Sequence, residues 1–402
     1  MAHRITPTAR DERPVGIYIH IPFCRRKCSY CDFYSIPTFD DALCDRYAAA
    51  LVRQIAETAP TIAGKVGSVY FGGGTPTVFG AKRLCAVLGA IHKHFTVEKT
   101  AEITTEANPE STDKKTMKAL RRAGFNRVSF GVQSSCDAEL SAMGRLHDFS
   151  AAKAAVEAAR AAKFKNISVD LMYGVAGQTA ESWRQSIADI LALKPEHISA
   201  YGLKVESGTP LARAVEAGDV LLPDDDTQAE YYETACELLR DAEYVHYEIS
   251  NWAKPGYESR HNLRYWRLEP YIGFGAAAHS DAFGIRCAAP RDIEKYMTAV
   301  ESGGEIFEDY DRIPPSERAF EYVMLALRTG DGIDAGTLRR SYRLDPDAAA
   351  ETIDALAEQG LVARTPHGFR LTERGALLSN TLILKIFDAL KPLENRFAKE
   401  KL

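Results

Sequence analysis

Six short runs rich in β-branched residues, at positions 15–21, 66–71, 101–105, 127–132, 167–172 and 197–203, alternate with segments of helical period. Leu43, Tyr47, Leu51 and Ile55 recur every fourth position between the first two runs, and Trp183, Ile187 and Leu191 share a face between the last two. A strand that feeds a helix returns to the sheet parallel to itself. Six such units therefore dictate an α/β fold: a parallel sheet covered by helices, either open and doubly wound or curved into a barrel. No GxGxxG follows the first strand, which argues against a dinucleotide-binding version. A cluster of cysteines follows it instead.

That cluster is Cys24, Cys28 and Cys31, spaced CxxxCxxC. The chain holds 8 cysteines in 402 residues, and a core of that size needs no disulfide staples. The other five (Cys44, Cys85, Cys136, Cys236 and Cys287) are scattered and read as small core residues. The first fourteen residues form a polar tail without the apolar stretch of a signal peptide, and no apolar run approaches the roughly 20 residues that span a bilayer. The expectation is a cytoplasmic protein. Lys+Arg total 50 against Asp+Glu 55, a net charge of −5, which gives no basic excess for nucleic acid.

Three closely spaced thiolates suit an iron–sulfur cluster with one iron left without a protein ligand. Such an open position binds a second ligand, as the free site of a catalytic zinc does. A zinc site is the competing assignment. It would want a fourth ligand, and His20, the nearest, sits inside the first strand pattern.

Beyond residue 206 the βα rhythm loosens. The sequence divides into a barrel region at 15–243, an aromatic and glycine-rich segment at 244–313 packed on it, and a C-terminal domain at 314–402 opened by Pro314-Pro315. In the last, Phe320, Val323, Met324 and Leu327 share one helical face, and Ile353, Leu356 and Ala357 another that stops at Gly360. Residues 361–364 and 369–372 flank a Pro366-His367-Gly368 turn, and a final helix starts at Glu373. This pattern is winged-helix-like, and without a dense basic face it reads as a packing or lid domain.

The segment around the cysteines, Tyr18 to Phe33, resembles the radical S-adenosylmethionine (SAM) family. The likeness extends through Phe71-Gly72-Gly73-Gly74-Thr75-Pro76, Thr105-Glu106-Ala107-Asn108-Pro109, Phe130-Gly131-Val132-Gln133, Met143-Gly144-Arg145 and Asp170-Leu171-Met172-Tyr173-Gly174. Within that family the chain is similar to the branch containing oxygen-independent coproporphyrinogen oxidases and the HemW heme chaperones, a similarity shared by the stretch 371–379. The resemblance implies a partial (β/α)6 barrel with a C-terminal accessory domain. It implies a 4Fe-4S cluster on Cys24, Cys28 and Cys31, whose open iron chelates SAM so that an electron can cleave the sulfonium bond. It further implies SAM contacts from Tyr18, Tyr30, Gly73, Gly74, Thr75, Glu106, Gln133, Arg145 and Asp170. Each has a rationale in the residues: glycines admit close backbone approach, Glu106 accepts from ribose hydroxyls, and polar groups at four strand ends suit one rim site.

Two features bear on the choice within the branch. The similar oxidases carry a fourth cysteine two residues after the third, where this chain has Phe33. The run His261-Asn262-Leu263-Arg264-Tyr265-Trp266 matches the HNxxYW pattern of the chaperones. A neutral imidazole is a good axial ligand for heme iron, Tyr265 and Trp266 offer flat apolar faces, and Asn262 completes the motif. The alternative is that His261 caps a loop while the aromatics pack in the core. The resemblance thus implies a chaperone that binds heme and passes it to acceptor heme proteins such as respiratory enzymes, with an electron donor serving the cluster and a homodimer left open. The competing function is that of an oxidoreductase acting on a tetrapyrrole, and no catalytic residue is assigned. Where relatives have Leu-Pro after the fifth strand, this chain has Val175-Ala176, and a looser turn at Gly177-Gln178-Thr179 is expected.

Overall fold

The computed structural model describes residues 13–393, which divide into two compact units. The first comprises residues 13–245, 252–264 and 269–312, and the second 246–251, 265–268 and 313–393.

In the first unit the six expected runs form β1 (Val15–Ile21), β2 (Val66–Gly73), β3 (Val97–Ala107), β4 (Arg127–Gln133), β5 (Asn166–Tyr173) and β6 (His197–Gly202). Each lies parallel to the next, with Tyr18 opposite Tyr70, Glu106 opposite Ser129 and Asp170 opposite Ser199. Their burial explains their legibility: β4 is buried at six consecutive positions, as a strand covered on both faces must be. Helix starts are set by side-chain caps. Asp40 accepts from the Leu43 amide, Asp113 from Thr116 and Asp148 from Ala151.

β1 is flanked by β2 and, on its other side, by the parallel strand Tyr271–Phe274, so β1 and β6 do not meet and the barrel stays partial. His279–Ala282, Ile285–Ala288 and Asp309–Asp311 continue that edge antiparallel. These four strands lie in the aromatic and glycine-rich segment, where runs of three or four residues are too short to show a period. The turn after β5 is not loose. Gln178 is buried, its Oε1 accepts from the Gly174 amide at 2.7 Å, and its Nε2 donates to Glu139 and to the Met172 carbonyl. A side chain thus supplies the fixity that proline does not.

The second unit packs helices Pro315–Ala326, Ala335–Tyr342, Ala350–Glu358 and Ser379–Ala389 around Val323, Leu338, Ile353, Phe369 and Ile386. A hairpin of Val362–Thr365 and Gly368–Leu371 pairs with Ile333–Asp334, the winged arrangement. The final helix expected from Glu373 is two helices, Glu373–Leu377 and Ser379–Ala389. No helix among the described residues is long and apolar enough to cross a membrane.

Candidate cluster and cofactor site

β1 delivers the chain into a loop that is closed on itself: the Ile36 amide donates to the Pro22 carbonyl (2.7 Å) and the Cys24 amide to Ile36 (3.2 Å). Inside it the Cys31 amide donates to the Cys28 carbonyl at 3.3 Å, a turn that folds the CxxC half tightly. Met143-Gly144-Arg145 braces the loop from outside, with the Ser29 amide donating to the Met143 carbonyl and Arg145 Nη1 to Cys28 Sγ, each at 3.4 Å. Cys24, Cys28 and Cys31 are all half-buried and all line one cavity of about 610 Å³ at the C-terminal rim of the sheet. None of the other five cysteines lines it. Burial pushes the Cys24 and Cys31 thiols up, while Thr75, 3.4 Å from Cys24 Sγ, acts in the opposite sense on Cys24. Such thiols ionise only against a strong local positive charge, which a bound metal supplies.

The floor of the cavity is polar and tightly tied. Glu106, half-buried, accepts from the Tyr70 hydroxyl (2.8 Å) and the Gly73 amide (3.1 Å). Burial pushes its carboxyl up to about 7. Asp170 accepts from Ser199 (2.8 Å) and Ser129 (3.1 Å), and burial raises it as well. Arg145 donates to the Gly131 carbonyl (2.6 Å) and to Asn108 Oδ1 (2.9 Å), leaving its buried Nε without a partner. Gly73 stands at φ +111°, and a Cβ there would lie 2.5 Å from the His20 ring; one on Gly74 would lie 2.8 Å from the Phe23 carbonyl oxygen. Only glycine fits at Gly73, and its lack of a side chain keeps the backbone open to the cavity.

The cavity thus brings together Tyr30, Gly73, Gly74, Thr75, Glu106, Gln133, Arg145 and Asp170 with the three thiols. Tyr18 is not on its wall. Its hydroxyl lies 3.0 Å from His20 Nδ1 and its ring stacks on Tyr70, so it supports the tyrosine that does line the site. His20 is buried, within 3.0 Å of the Tyr34 carbonyl, and held neutral by burial, which lowers it to about 4. Sequence reasoning missed Tyr70, Asn108, Arg127 and Ser199. Tyr70, two residues before the glycine turn, carried a signal in its position; Arg127 and Ser199 show only once the strands curve inward. Phe33, 69% exposed, borders the same cavity.

The HNxxYW run lies in one short helix, Arg260–Trp266. Residues 260–264 belong to the first unit and 265–268 to the second. His261 is fully buried with Nδ1 2.8 Å from Ser68 Oγ, and its ring stacks on Tyr70 at 5.3 Å. Burial and the neighbouring Arg264 lower it to about 3, and the backbone amides of Arg260 and His261 both donate to Glu102 (3.1 Å). Arg264 Nε donates to the same Ser68 hydroxyl (3.0 Å) and Nη1 to the Pro14 carbonyl (2.8 Å). An axial heme ligand must present a nitrogen to the open face of the porphyrin. In this conformation His261 is instead a packed residue at the base of the strands. Asn262 lines the cavity, and Tyr265 and Trp266 are half-buried.

A partial parallel barrel with three cysteine thiols and a polar, glycine-lined cavity at one rim is the architecture of a radical SAM protein. Residues 18–190 match the Radical SAM superfamily, and residues 313–378 match the HemN C-terminal domain. Proteins called heme chaperone HemW are 35% identical in Mycobacterium tuberculosis, over 92% of this chain and 94% of theirs, and 35% identical in Bacillus subtilis, over 90% and 96%. The fold is also that of the coproporphyrinogen III oxidase of Escherichia coli, with a TM-score of 0.80 at 23% identity over 94% of this chain and 91% of that one. The chain belongs to the HemW family of radical SAM proteins.

Proposed function

We propose that this chain is a cytoplasmic heme chaperone that binds heme and delivers it to acceptor heme proteins, using a 4Fe-4S cluster and SAM. The observation that carries the reading is the likeness, end to end, to relatives that bear the name of heme chaperone. The donor set supports the cofactors: three thiols converge on one cavity with no carboxylate among the cysteines' own neighbours in hydrogen-bond range, and glycine cradles the adjoining turn. Cys24, Cys28 and Cys31 would hold the cluster, which supplies the open iron and the electron for SAM when bound. Gly73, Gly74 and Thr75 would receive the methionine end, and Glu106 and Asp170 would accept hydroxyl donors from the ribose. Arg145 fixes Cys28 and the Gly131 carbonyl in place. An electron donor for the cluster and a respiratory acceptor complete the scheme.

For heme, the HNxxYW residues His261, Asn262, Tyr265 and Trp266 remain the assigned motif, and ligation by His261 requires residues 260–264 to leave Ser68 and Glu102. The test is anaerobic reconstitution followed by heme titration with and without SAM. A shifted Soret band that saturates at one heme per chain supports the reading. An unshifted band in protein with full iron content overturns it. Vinyl product from coproporphyrinogen in the same preparations would replace it with the oxidase reading, against which Phe33 stands.

A further inference from the structure

The second unit holds a cavity of its own, about 460 Å³, lined entirely by residues of that unit. Its wall carries Arg328, Arg370 and Arg374. An arginine in a folded protein usually finds a carboxylate, because its planar fork matches one in a paired geometry. These three do not. Arg328, half-buried, donates to Asn380 Oδ1 (2.7 Å) and to the Met324 carbonyl (3.5 Å). Arg370 donates to the Gly330 carbonyl at 3.3 Å. Among the described residues no carboxylate comes within ion-pair distance of any of the three, although other arginines do find one, such as Arg46 with Glu294 and Arg364 with Asp354.

Two acids do line the cavity, Glu248 and Glu373. Glu248 is 2% exposed, its Oε2 accepts from the Ser250 amide (3.1 Å), and its Oε1 has no hydrogen-bond partner. Burial pushes its carboxyl up to about 8, so at neutral pH it carries a proton rather than a charge. His246, in the same wall, is held neutral by burial. The wall therefore carries three guanidinium groups beside Glu373 and a Glu248 that burial keeps protonated. The rest of the lining includes Ile249, Leu327 and Leu371, so the wall combines cationic and apolar groups. Its size is that of a small-molecule site.

We propose that this cavity binds a small organic oxyanion, a phosphate ester or polycarboxylate with a compact apolar portion, through Arg328, Arg370 and Arg374. The site is independent of the cluster cavity and of the heme reading.

The experiment is calorimetric titration of the full-length, reconstituted protein in buffer free of phosphate and sulfate, with pyrophosphate in one arm and citrate in the other. Saturable binding of one equivalent is expected in at least one arm, and which arm identifies phosphate or carboxylate as the preferred head. Arg374→Gln and Arg370→Gln should each weaken it about ten-fold, the worth of one charge-assisted hydrogen bond. Arg370→Lys, which keeps the charge but loses the fork, should recover only part of that loss. Arg184→Gln, an exposed barrel substitution, should leave it unchanged. Among the described residues Arg374 makes no hydrogen bond or ion pair that its loss would break, so a folding defect does not confound that variant. No saturable heat in either arm, or equal affinity in Arg374→Gln, Arg370→Gln and the parent protein, overturns the proposal.

Discussion

The imidazole of His261 lies 2.8 Å from the hydroxyl of Ser68, and Arg264 donates to that same hydroxyl, so the HNxxYW run is bolted to the second strand of the barrel. His261 also stacks on Tyr70, whose hydroxyl donates to Glu106 in the cofactor cavity. One motif thereby supports the floor of another. His261→Ala removes a fully buried ring and leaves the Ser68 hydroxyl with Arg264 alone, at a cost of about 2–4 kcal/mol. A lower urea midpoint at unchanged iron content is the expected result. His261→Asn, which retains a polar partner for Ser68, should recover part of the stability, and a heme titration on it tests the ligand role apart from folding. A midpoint equal to the parent's in His261→Ala would show that the ring does not pack as described.

Replacing any one of Cys24, Cys28 and Cys31 by Ser should abolish the brown chromophore and reduce bound iron and sulfide to background after anaerobic reconstitution. Serine is a poor substitute for a thiolate ligand, and three ligands leave no spare. Cys44→Ser, at a buried site in the first helix, should keep the cluster. Iron retention in two of the three motif variants would remove the cluster assignment.

Glu106→Gln tests the floor of the cavity. The carboxylate accepts two donors, from Tyr70 and the Gly73 amide. An amide offers one oxygen, so one of those donors would face an NH2 group. The loss of a single buried hydrogen bond costs about 1–3 kcal/mol, and the dissociation constant for SAM should rise roughly ten-fold or more. Gly73→Ala should act similarly by another route: its φ of +111° and the His20 ring 2.5 Å from a new Cβ force the turn to move. Unchanged SAM affinity by equilibrium dialysis in both variants would show that neither residue serves the cofactor.

Much of this arrangement was legible in the chain because local chemistry dictated it. The barrel strands are largely buried and read as short runs rich in β-branched residues, and CxxxCxxC needs no neighbour to be recognised. What escaped depends on closure. Arg127 and Ser199 are polar residues in strands, and only the curvature of the sheet shows that they share an interior with Asp170. His261 meets Ser68 across 193 positions of sequence, so its burial had no local signal and a surface role was the natural expectation. The strands from Tyr271 to Asp311 escaped for a third reason, being too short for a period of two to emerge.

Two buried carboxyls give the fold an unusual dependence on pH. Glu106 and Glu248 are raised by burial to about 7 and about 8 from an ordinary 4.5. Between the unfolded and folded values the folded state holds a proton that the unfolded state has lost, so stability falls as pH rises. Their contribution is full below pH 4.5, and is gone above 7 for Glu106 and above 8 for Glu248. His20 and His261, lowered to about 4 and about 3 from 6.5, act in the opposite sense, and their contribution is lost as pH falls below 6.5. The net curve mixes these terms, but the difference between the parent and Glu248→Gln isolates one of them. The amide carries no ionisable proton and keeps the acceptor for Ser250, so the variant should gain on the parent steadily from pH 5 to pH 8, by a slope approaching about 1.4 kcal/mol per unit. Chemical denaturation at four pH values across that range measures it, and parallel curves for the two proteins would mean that Glu248 ionises in the fold as it does in water.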